Sequence, residues 1–186
     1  GGGSVSAAAG AMAASLSCMV SNLTFGKKKW DPIFDEMCEL GQSSQELKDE
    51  LLSLIDEDTD AFNKVMDAFR LPANSNKEKD DKKMAIENAN KHAAEIPLRI
   101  LKSCTKILPL ALKASKLGNP NSLSDAGVAG EMAHAGAHGA AMNVMINLSG
   151  ISDENFVQKM KTETNHLTEL VNNDRGELRK LVHKAL

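Results

Sequence analysis

Residues 4–24 read SVSAAAGAMAASLSCMVSNLT and predict a helix with small side chains around most of its circumference. Small side chains let neighbouring backbones approach closely, so we expect this helix in the centre of a helical bundle. A second helix of this kind is predicted from about Ser122 to Leu148, where Gly and Ala are again frequent. The two stretches therefore predict an all-α bundle with two small-residue helices at its centre.

Helical periodicity also covers the rest of the chain. Three further helices are predicted. The first begins at the N-cap and proline Asp31-Pro32 and ends at Leu71-Pro72, with a capping box or a kink at residues 43–46. The second runs from about Ser75 to Lys116, and the third from the N-cap Ser152 toward Leu186. Pro97 and Pro109 lie inside the second of these and predict either a long kinked helix or two shorter ones. No segment alternates with the strand period. We expect a single domain over residues 1–186, folded as an antiparallel bundle of five or six helices.

The composition agrees with this architecture and argues against several functions. Of the 186 residues, 42 % are hydrophobic and 25 % charged, as in ordinary globular domains, but only 3 % are aromatic. The net charge of −3 argues against nucleic-acid binding. The most apolar run, Val5 to Val20, is too short to span a bilayer, and the 3 cysteines form no CxxC pair. We therefore expect a cytoplasmic protein that binds neither nucleic acid nor membrane.

Polar groups occur at four places where a helical bundle does not need them. They are the start Gly1-Gly2-Gly3-Ser4, the basic turn Gly26-Lys27-Lys28-Lys29-Trp30, the acidic run Asp56-Glu57-Asp58-Thr59-Asp60, and the turn region 118–127 together with Asn143 and Asn147. Glycines before a helix let N–H groups converge on an anion, although a tag linker looks the same. The lysines either stabilise a helix C-terminus through their positive charge or bind a carboxylate ligand. The acidic run is either a solvent-exposed face or contributes a carboxylate to a site, since Asp58 borders the apolar stripe. The two asparagines share one helix face and either satisfy backbone groups or face a ligand.

Glu131, His134 and His138 also stand at helical spacing, and two histidines one turn apart can bind zinc. The HExxH signature is absent, and no other clear ligand lies nearby in the sequence. We therefore favour surface or interface histidines and expect no metal site.

Taken in order, these segments resemble the cyclodeaminase/cyclohydrolase family of folate enzymes, which includes the C-terminal domain of formiminotransferase-cyclodeaminase and stand-alone bacterial proteins. The resemblance is carried by Gly1–Val5, Leu23–Trp30, Ile55–Phe62, Arg70–Pro72, Ile96–Leu98, Gly118–Ser122, Ser124–Val128 and Asn143–Leu148. These segments run over essentially the whole chain. Family members usually carry a Pro and a short helix before the triglycine. The triglycine is therefore expected to be native, with an N-terminal helix before Gly1 missing.

The resemblance implies a dimer or higher homo-oligomer with a folate site in a cleft at or near the dimer interface. It also implies one of two activities, of which we expect the first. A formiminotetrahydrofolate cyclodeaminase converts 5-formiminotetrahydrofolate to 5,10-methenyltetrahydrofolate and ammonia. A methenyltetrahydrofolate cyclohydrolase adds water to the methenyl compound to give 10-formyltetrahydrofolate. The alternative of another class is a non-catalytic folate-binding or oligomerisation module. No cofactor beyond the tetrahydrofolate substrate is expected.

Either reaction needs positioned nitrogens, a proton donor and a counter-charge for the cationic methenyl group. We expect the catalytic carboxylates to be Asp125 first, Asp58 second and Asp56 as the alternate. The expected substrate-binding residues are Gly2, Gly3, Ser4, Lys27, Lys28, Asn119, Ser124, Asn143 and Asn147. The two lysines would bind the glutamate carboxylates of the folate tail, which can be polyglutamylated.

Overall fold

The computed structural model describes residues 1–25 and 28–185, with the backbone alone for residues 28–30. Its five α-helices are α1 (Gly2–Thr24), α2 (Phe34–Arg70), α3 (Asn76–Leu117), α4 (Leu123–Leu148) and α5 (Glu154–Ala185). Short 3-10 helices, Lys28–Ile33 and Pro120–Ser122, precede α2 and α4. No β-strand occurs in the described ranges. The predicted all-α class is confirmed, with five helices.

Helix α1 is central and packs against α2, α3 and α4. Asn119, just after α3, donates its backbone N–H to Thr24 Oγ1 at the end of α1, at 3.0 Å. Asn143, near the end of α4, lies beside Gly2 at the start of α1. Helix α4 is therefore antiparallel to α1, as predicted for the bundle.

Small residues bring the α1 and α4 backbones together. A Cβ atom built on Gly136 of α4 would lie 2.8 Å from the Ser6 carbonyl oxygen and 3.1 Å from the Gly10 nitrogen. On its other side, Gly10 of α1 leaves room for the Cys104 sulfur of α3, which would lie 2.7 Å from a Cβ at that position. Backbone atoms cannot move aside like the end of a flexible side chain, so the close approach requires glycine.

Replacing Gly136 with Ala should therefore destabilise the fold by about 1–3 kcal/mol, the usual cost of overpacking a core. Gly176→Ala in α5 is the matched control, because its Cβ would meet no atom within 4 Å. That variant should gain about 0.5–1 kcal/mol, because Ala is favoured over Gly inside a helix. Urea unfolding measures both values. A Gly136→Ala protein as stable as the wild type would contradict the close packing of α1 and α4.

The core is aliphatic, as expected from the low aromatic content. The largest fully buried side chains include Leu51, Leu54, Ile96, Ile100, Leu101, Ile107 and Leu108. Each contributes about 1.5–3 kcal/mol by leaving water. Burial also raises the pKa of the Cys104 thiol to about 12, so this cysteine is a protonated core residue.

Two helix starts differ from the prediction. Pro32 and Asp31 lie in the 3-10 helix Lys28–Ile33, so α2 begins at Phe34 without an Asp31 cap. Asp153 rather than Ser152 caps α5, since its Oδ1 accepts a hydrogen bond from the Phe156 N–H at 3.1 Å. The start of α3 is as predicted, with a capping box between Ser75 and Glu78.

Helix α2 is uninterrupted, and α3 is a single long helix, which is one of the two alternatives considered for it. Residues 43–46 lie inside α2, so the capping box considered for them does not form. Pro97 and Pro109 both lie inside one 42-residue α3. Burial of Ile96, Pro97 and Leu98 in the core helps to offset the hydrogen bond that a proline removes.

The last part of α2, residues 59–70, and the first part of α3, residues 76–92, form a two-helix arm. This arm extends past the start of α1. Asp58 of α2 contacts that start, and α2 continues to Arg70, about 12 residues or roughly 18 Å further. The arm therefore stands next to the place where α1 begins.

Helix α1 is long enough and apolar enough to cross a membrane, judged by length and composition alone. The sequence analysis considered only the shorter run from Val5 to Val20, which is too short to do so. Half of its most apolar window is buried inside the bundle. Its composition is therefore explained by its central position among α2, α3 and α4.

Candidate active site

Asp58 of α2 meets the first turn of α1. Its Oδ2 accepts hydrogen bonds from the Ser4 backbone N–H at 2.9 Å and from Ser4 Oγ at 2.8 Å. The carboxylate thus occupies the position at a helix N-terminus where unpaired N–H groups and the helix dipole favour an anion. The glycine-rich start therefore does hold an anion, and this anion is a side chain of the same protein.

Gly2 and Gly3 are required there by lack of space. A Cβ on Gly3 would lie 2.1 Å from Asp58 Oδ1, and one on Gly2 would lie 2.8 Å from Asn143 Nδ2. Both glycines lie inside α1 rather than before it. They let the start of α1 fit between the Asp58 carboxylate of α2 and the Asn143 amide of α4.

The two asparagines of α4 each satisfy a backbone carbonyl. Asn143 Nδ2 donates to the Gly139 oxygen at 2.8 Å, and Asn147 Nδ2 donates to the Ala93 oxygen of α3 at 2.6 Å. Within residues 1–25 and 28–185, neither side-chain Oδ1 accepts a hydrogen bond from another residue. Each half-buried amide therefore keeps an acceptor for a ligand, which combines the two roles considered from the sequence.

Three other predicted residues lie at the opposite end of α1. Asn119 packs there, with its Nδ2 3.4 Å from the Leu23 carbonyl oxygen. Asp125 follows in the first turn of α4 and is half-buried, while Ser124 beside it is exposed. Because α1 rises 1.5 Å per residue from Gly2 to Thr24, its two ends are about 33 Å apart.

The predicted site residues therefore form two groups within one chain. We call Gly2, Gly3, Ser4, Asp58, Asn143 and Asn147 the Asp58 cluster, and Asn119, Ser124 and Asp125 the Asp125 cluster. Lys28 begins the 3-10 helix that follows α1, at the end of α1 where the Asp125 cluster lies. Lys27 lies outside the described residues. The structure does not bring all these residues together in a single chain.

Asp56 is separate from both clusters. It is exposed, and positions two residues apart on a helix point about 200° apart, so Asp56 and Asp58 face different sides of α2. Glu57 between them pairs with Arg99 of α3, and that hydrogen bond lowers the pKa of Glu57. In the acidic run, Glu57 thus links α2 to α3 and Asp58 contacts α1.

An apolar stripe on the arm was missed as a functional candidate. Phe62, Met66 and Phe69 follow Asp58 at helical spacing and are 61 %, 37 % and 51 % exposed. Their periodicity predicted core positions, but the arm extends beyond the helices that would cover them. Phe62 follows Asp58 by four residues, and this spacing in the sequence predicts that the aromatic ring lies beside the carboxylate.

The fold and these clusters define a small helical domain whose carboxylates, amides and serine hydroxyl can bind and protonate a polar ligand. The sequence model of the formiminotransferase-cyclodeaminase family matches residues 1–166. The chain belongs to this family.

Individual relatives have two different names. The chain is 39 % identical over 163 residues to a methenyltetrahydrofolate cyclohydrolase of Methylorubrum extorquens, covering 88 % of this chain and 78 % of that protein. It is 33 % identical over 161 residues to the formimidoyltransferase-cyclodeaminase of Rattus norvegicus, covering 87 % of this chain but 30 % of the longer rat protein. A crystal structure of formiminotetrahydrofolate cyclodeaminase from Thermotoga maritima matches with a TM-score of 0.88 and 31 % identity, over 99 % of this chain and 88 % of that one.

Proposed function

We propose that this protein is a folate enzyme that acts as a formiminotetrahydrofolate cyclodeaminase. The observation that carries the proposal is the match to the Thermotoga maritima cyclodeaminase over 99 % of the chain. Methenyltetrahydrofolate cyclohydrolase is the second candidate, supported by the 39 % identity to the Methylorubrum extorquens protein of that name. Both reactions pass through a tetrahedral carbon between N5 and N10 of the folate, so one site can serve either.

The chemistry assigns a role to each cluster. In the cyclodeaminase reaction, N10 attacks the formimino carbon, and the amine leaves as ammonia after it gains a proton. Asp125 takes up the proton that N10 loses on ring closure and passes it to the departing amine. Asp58, fixed by Ser4, provides negative charge beside the cationic methenyl product. Asn143 and Asn147 orient the substrate through their free oxygens. Ring closure and hydration neither oxidise nor reduce the one-carbon unit, so the proposal requires no cofactor beyond the tetrahydrofolate substrate.

A homodimer would join the two clusters, which a single folate cannot bridge over about 33 Å. Helix α1 has no charged residue, and its outward face carries Val5, Met12, Met19 and Leu23, which are 70 %, 52 %, 37 % and 47 % exposed. A continuous apolar surface of this kind is typical of an interface between proteins.

We assign that surface to a second copy of the chain, paired about a two-fold axis with the α1 helices antiparallel. Such pairing places the Asp58 cluster of one protomer beside the Asp125 cluster and Lys28 of its partner. We further propose that Lys27 and Lys28 bind the glutamate carboxylates of the folate tail. The cytosol is the proposed compartment, consistent with the free thiols of Cys18, Cys38 and Cys104.

Met12→Glu should convert the dimer to a monomer and remove activity. A carboxylate in the middle of an apolar interface should weaken association at least ~100-fold, because its desolvation costs several kcal/mol. Met84→Glu is the control, since Met84 is 61 % exposed on the arm, away from α1. Light scattering after size exclusion gives the mass. A dimeric Met12→Glu protein would contradict the α1 interface.

The proposed activity is tested by following the methenyltetrahydrofolate chromophore with each substrate separately. Chromophore gain from 5-formiminotetrahydrofolate with release of ammonia supports the cyclodeaminase. Faster loss of added methenyltetrahydrofolate alone supports the cyclohydrolase instead. An Asp58→Asn/Asp125→Asn double variant, purified in the same way, measures any activity that comes from a contaminating enzyme. If the folded dimer gives neither signal, the catalytic proposal is wrong and a folate-binding or oligomerisation module remains.

A further inference from the structure

Two histidines on α4 converge on one asparagine of α5. His134 Nε2 lies 3.1 Å and His138 Nε2 lies 2.9 Å from the same Asn172 Oδ1. The two imidazole rings are 4.3 Å apart between centroids. Two ring nitrogens of α4 and one amide oxygen of α5 thus lie close together at the edge of the α4–α5 contact.

The surroundings leave this group open to solvent. Glu131, one turn earlier on α4, pairs with Arg175 at 2.8 Å and Arg179 at 3.5 Å, so the nearest arginine charge is partly neutralised. Asn172 is exposed, which gives a metal ion access and leaves positions for water ligands.

We propose that His134, His138 and Asn172 form a binding site for a divalent transition-metal ion such as Zn²⁺. Imidazole nitrogen suits Zn²⁺, Cu²⁺ and Ni²⁺, and two histidines one helical turn apart can share one ion. In the hydrogen bonds to Asn172 Oδ1, each Nε2 is the donor and carries the ring proton. When the ion binds, that proton moves to Nδ1 and Nε2 binds the metal, so no proton is released overall. The Asn172 carbonyl oxygen, which now lies between the two Nε2 atoms, is the third ligand.

The sequence analysis considered the same two histidines together with Glu131 and expected no metal site. In the part of the chain that the structure describes, no group of three or more His, Cys, Asp or Glu side chains could hold a metal ion. The third ligand here is an amide from another helix, 34 residues after His138. Glu131 is not a ligand because the two arginines occupy it.

The ion would act as a clamp between α4 and α5. Helix α5 has few fully buried residues for its 32-residue length, namely Met160, Thr164, Val171, Leu178 and Val182. A metal bridge from His134 and His138 to Asn172 would add a link near the middle of α5. This role is structural and independent of the proposed reaction at the Asp58 and Asp125 clusters.

Zinc binding to the full-length protein tests the site, with Cys18→Ser and Cys38→Ser introduced to remove the accessible thiols. After treatment with EDTA and desalting, Zn²⁺ is titrated against a chromogenic chelator, and Co²⁺ is added separately for its visible absorption. We expect one ion per chain and a rise in Tm with Zn²⁺. His134→Ala and His138→Ala should each weaken binding more than ~10-fold and abolish the rise in Tm.

His166→Ala is the matched control. This exposed histidine lies on α5, outside the proposed site, so its loss should leave zinc binding unchanged. Circular dichroism verifies that each variant folds. If the His134→Ala/His138→Ala double variant binds Zn²⁺ as tightly as the parent protein, the site is elsewhere and the proposal is wrong. The proposal is equally overturned if the parent protein binds no Zn²⁺, because the Asn172 contacts would then be hydrogen bonds alone.

Discussion

Mixing two inactive variants, Asp58→Asn and Asp125→Asn, should restore about one quarter of wild-type activity. Each change alone should lower turnover at least ~100-fold, because it removes a carboxylate assigned to charge stabilisation or proton transfer. In an antiparallel dimer, each site takes Asp58 from one chain and Asp125 from the other. A mixed dimer therefore contains one intact site and one doubly altered site.

The expected recovery follows from the proportions of the dimers. Random exchange of equal amounts makes about half of the dimers mixed, and half of the sites in those dimers are intact. Rates are measured with the methenyl chromophore after unfolding and refolding the two chains together. Asp60→Asn, an exposed change in the same acidic run, should remain active and shows that the run tolerates lost charge. No recovery by correctly folded mixed dimers would contradict a site shared between protomers.

Gly3→Ala should be nearly as damaging as the loss of Asp58 itself. The added Cβ would lie 2.1 Å from Asp58 Oδ1 and 2.6 Å from Cγ, so the carboxylate must move and lose its hydrogen bonds to Ser4. A displacement of about 1 Å at a reacting group can cost about 10²-fold in rate. We therefore expect turnover to fall about 100-fold, with a stability loss of about 1–3 kcal/mol.

Gly1→Ala is the matched control for this change. It adds the same methyl group two residues earlier, where a Cβ would meet no atom within 4 Å. Its turnover and stability should remain close to wild type, measured by the same assay and by urea unfolding. Normal turnover of Gly3→Ala would contradict the role given to Asp58, whereas equal losses in both variants would indicate a general sensitivity of the N-terminus.

The central helices could be predicted because side-chain size directly limits how closely two backbones approach. The Ala and Gly content of residues 4–24 predicted the position that α1 takes between α2, α3 and α4. The start of α3 near Ser75 was also predicted, although its capping box with Glu78 was not. The capping box considered at residues 43–46 does not form. Side-chain size therefore predicted helix positions better than local capping signals did.

The arrangement of the candidate site depends on where separate helices meet along their lengths. The Ser4–Asp58 pairing joins residues 54 positions apart, and the Asn147–Ala93 bond also joins residues 54 positions apart. Neither pairing follows from the periodicity of one helix, because each depends on how two helices are aligned along their lengths. Periodicity showed that Phe62 and Phe69 share a face, but it could not show that none of the five described helices covers that face.

The place of α1 between α2 and α4 also has a consequence for synthesis on the ribosome. Helix α1 is made before α4, which ends at Leu148, roughly 120 residues later. At about 5–20 residues per second, this uncharged helix waits roughly 6–25 s before α4 can cover it. During this interval the nascent chain exposes the apolar face of α1 that α4 later covers. In that state, chaperone binding would compete with premature self-association.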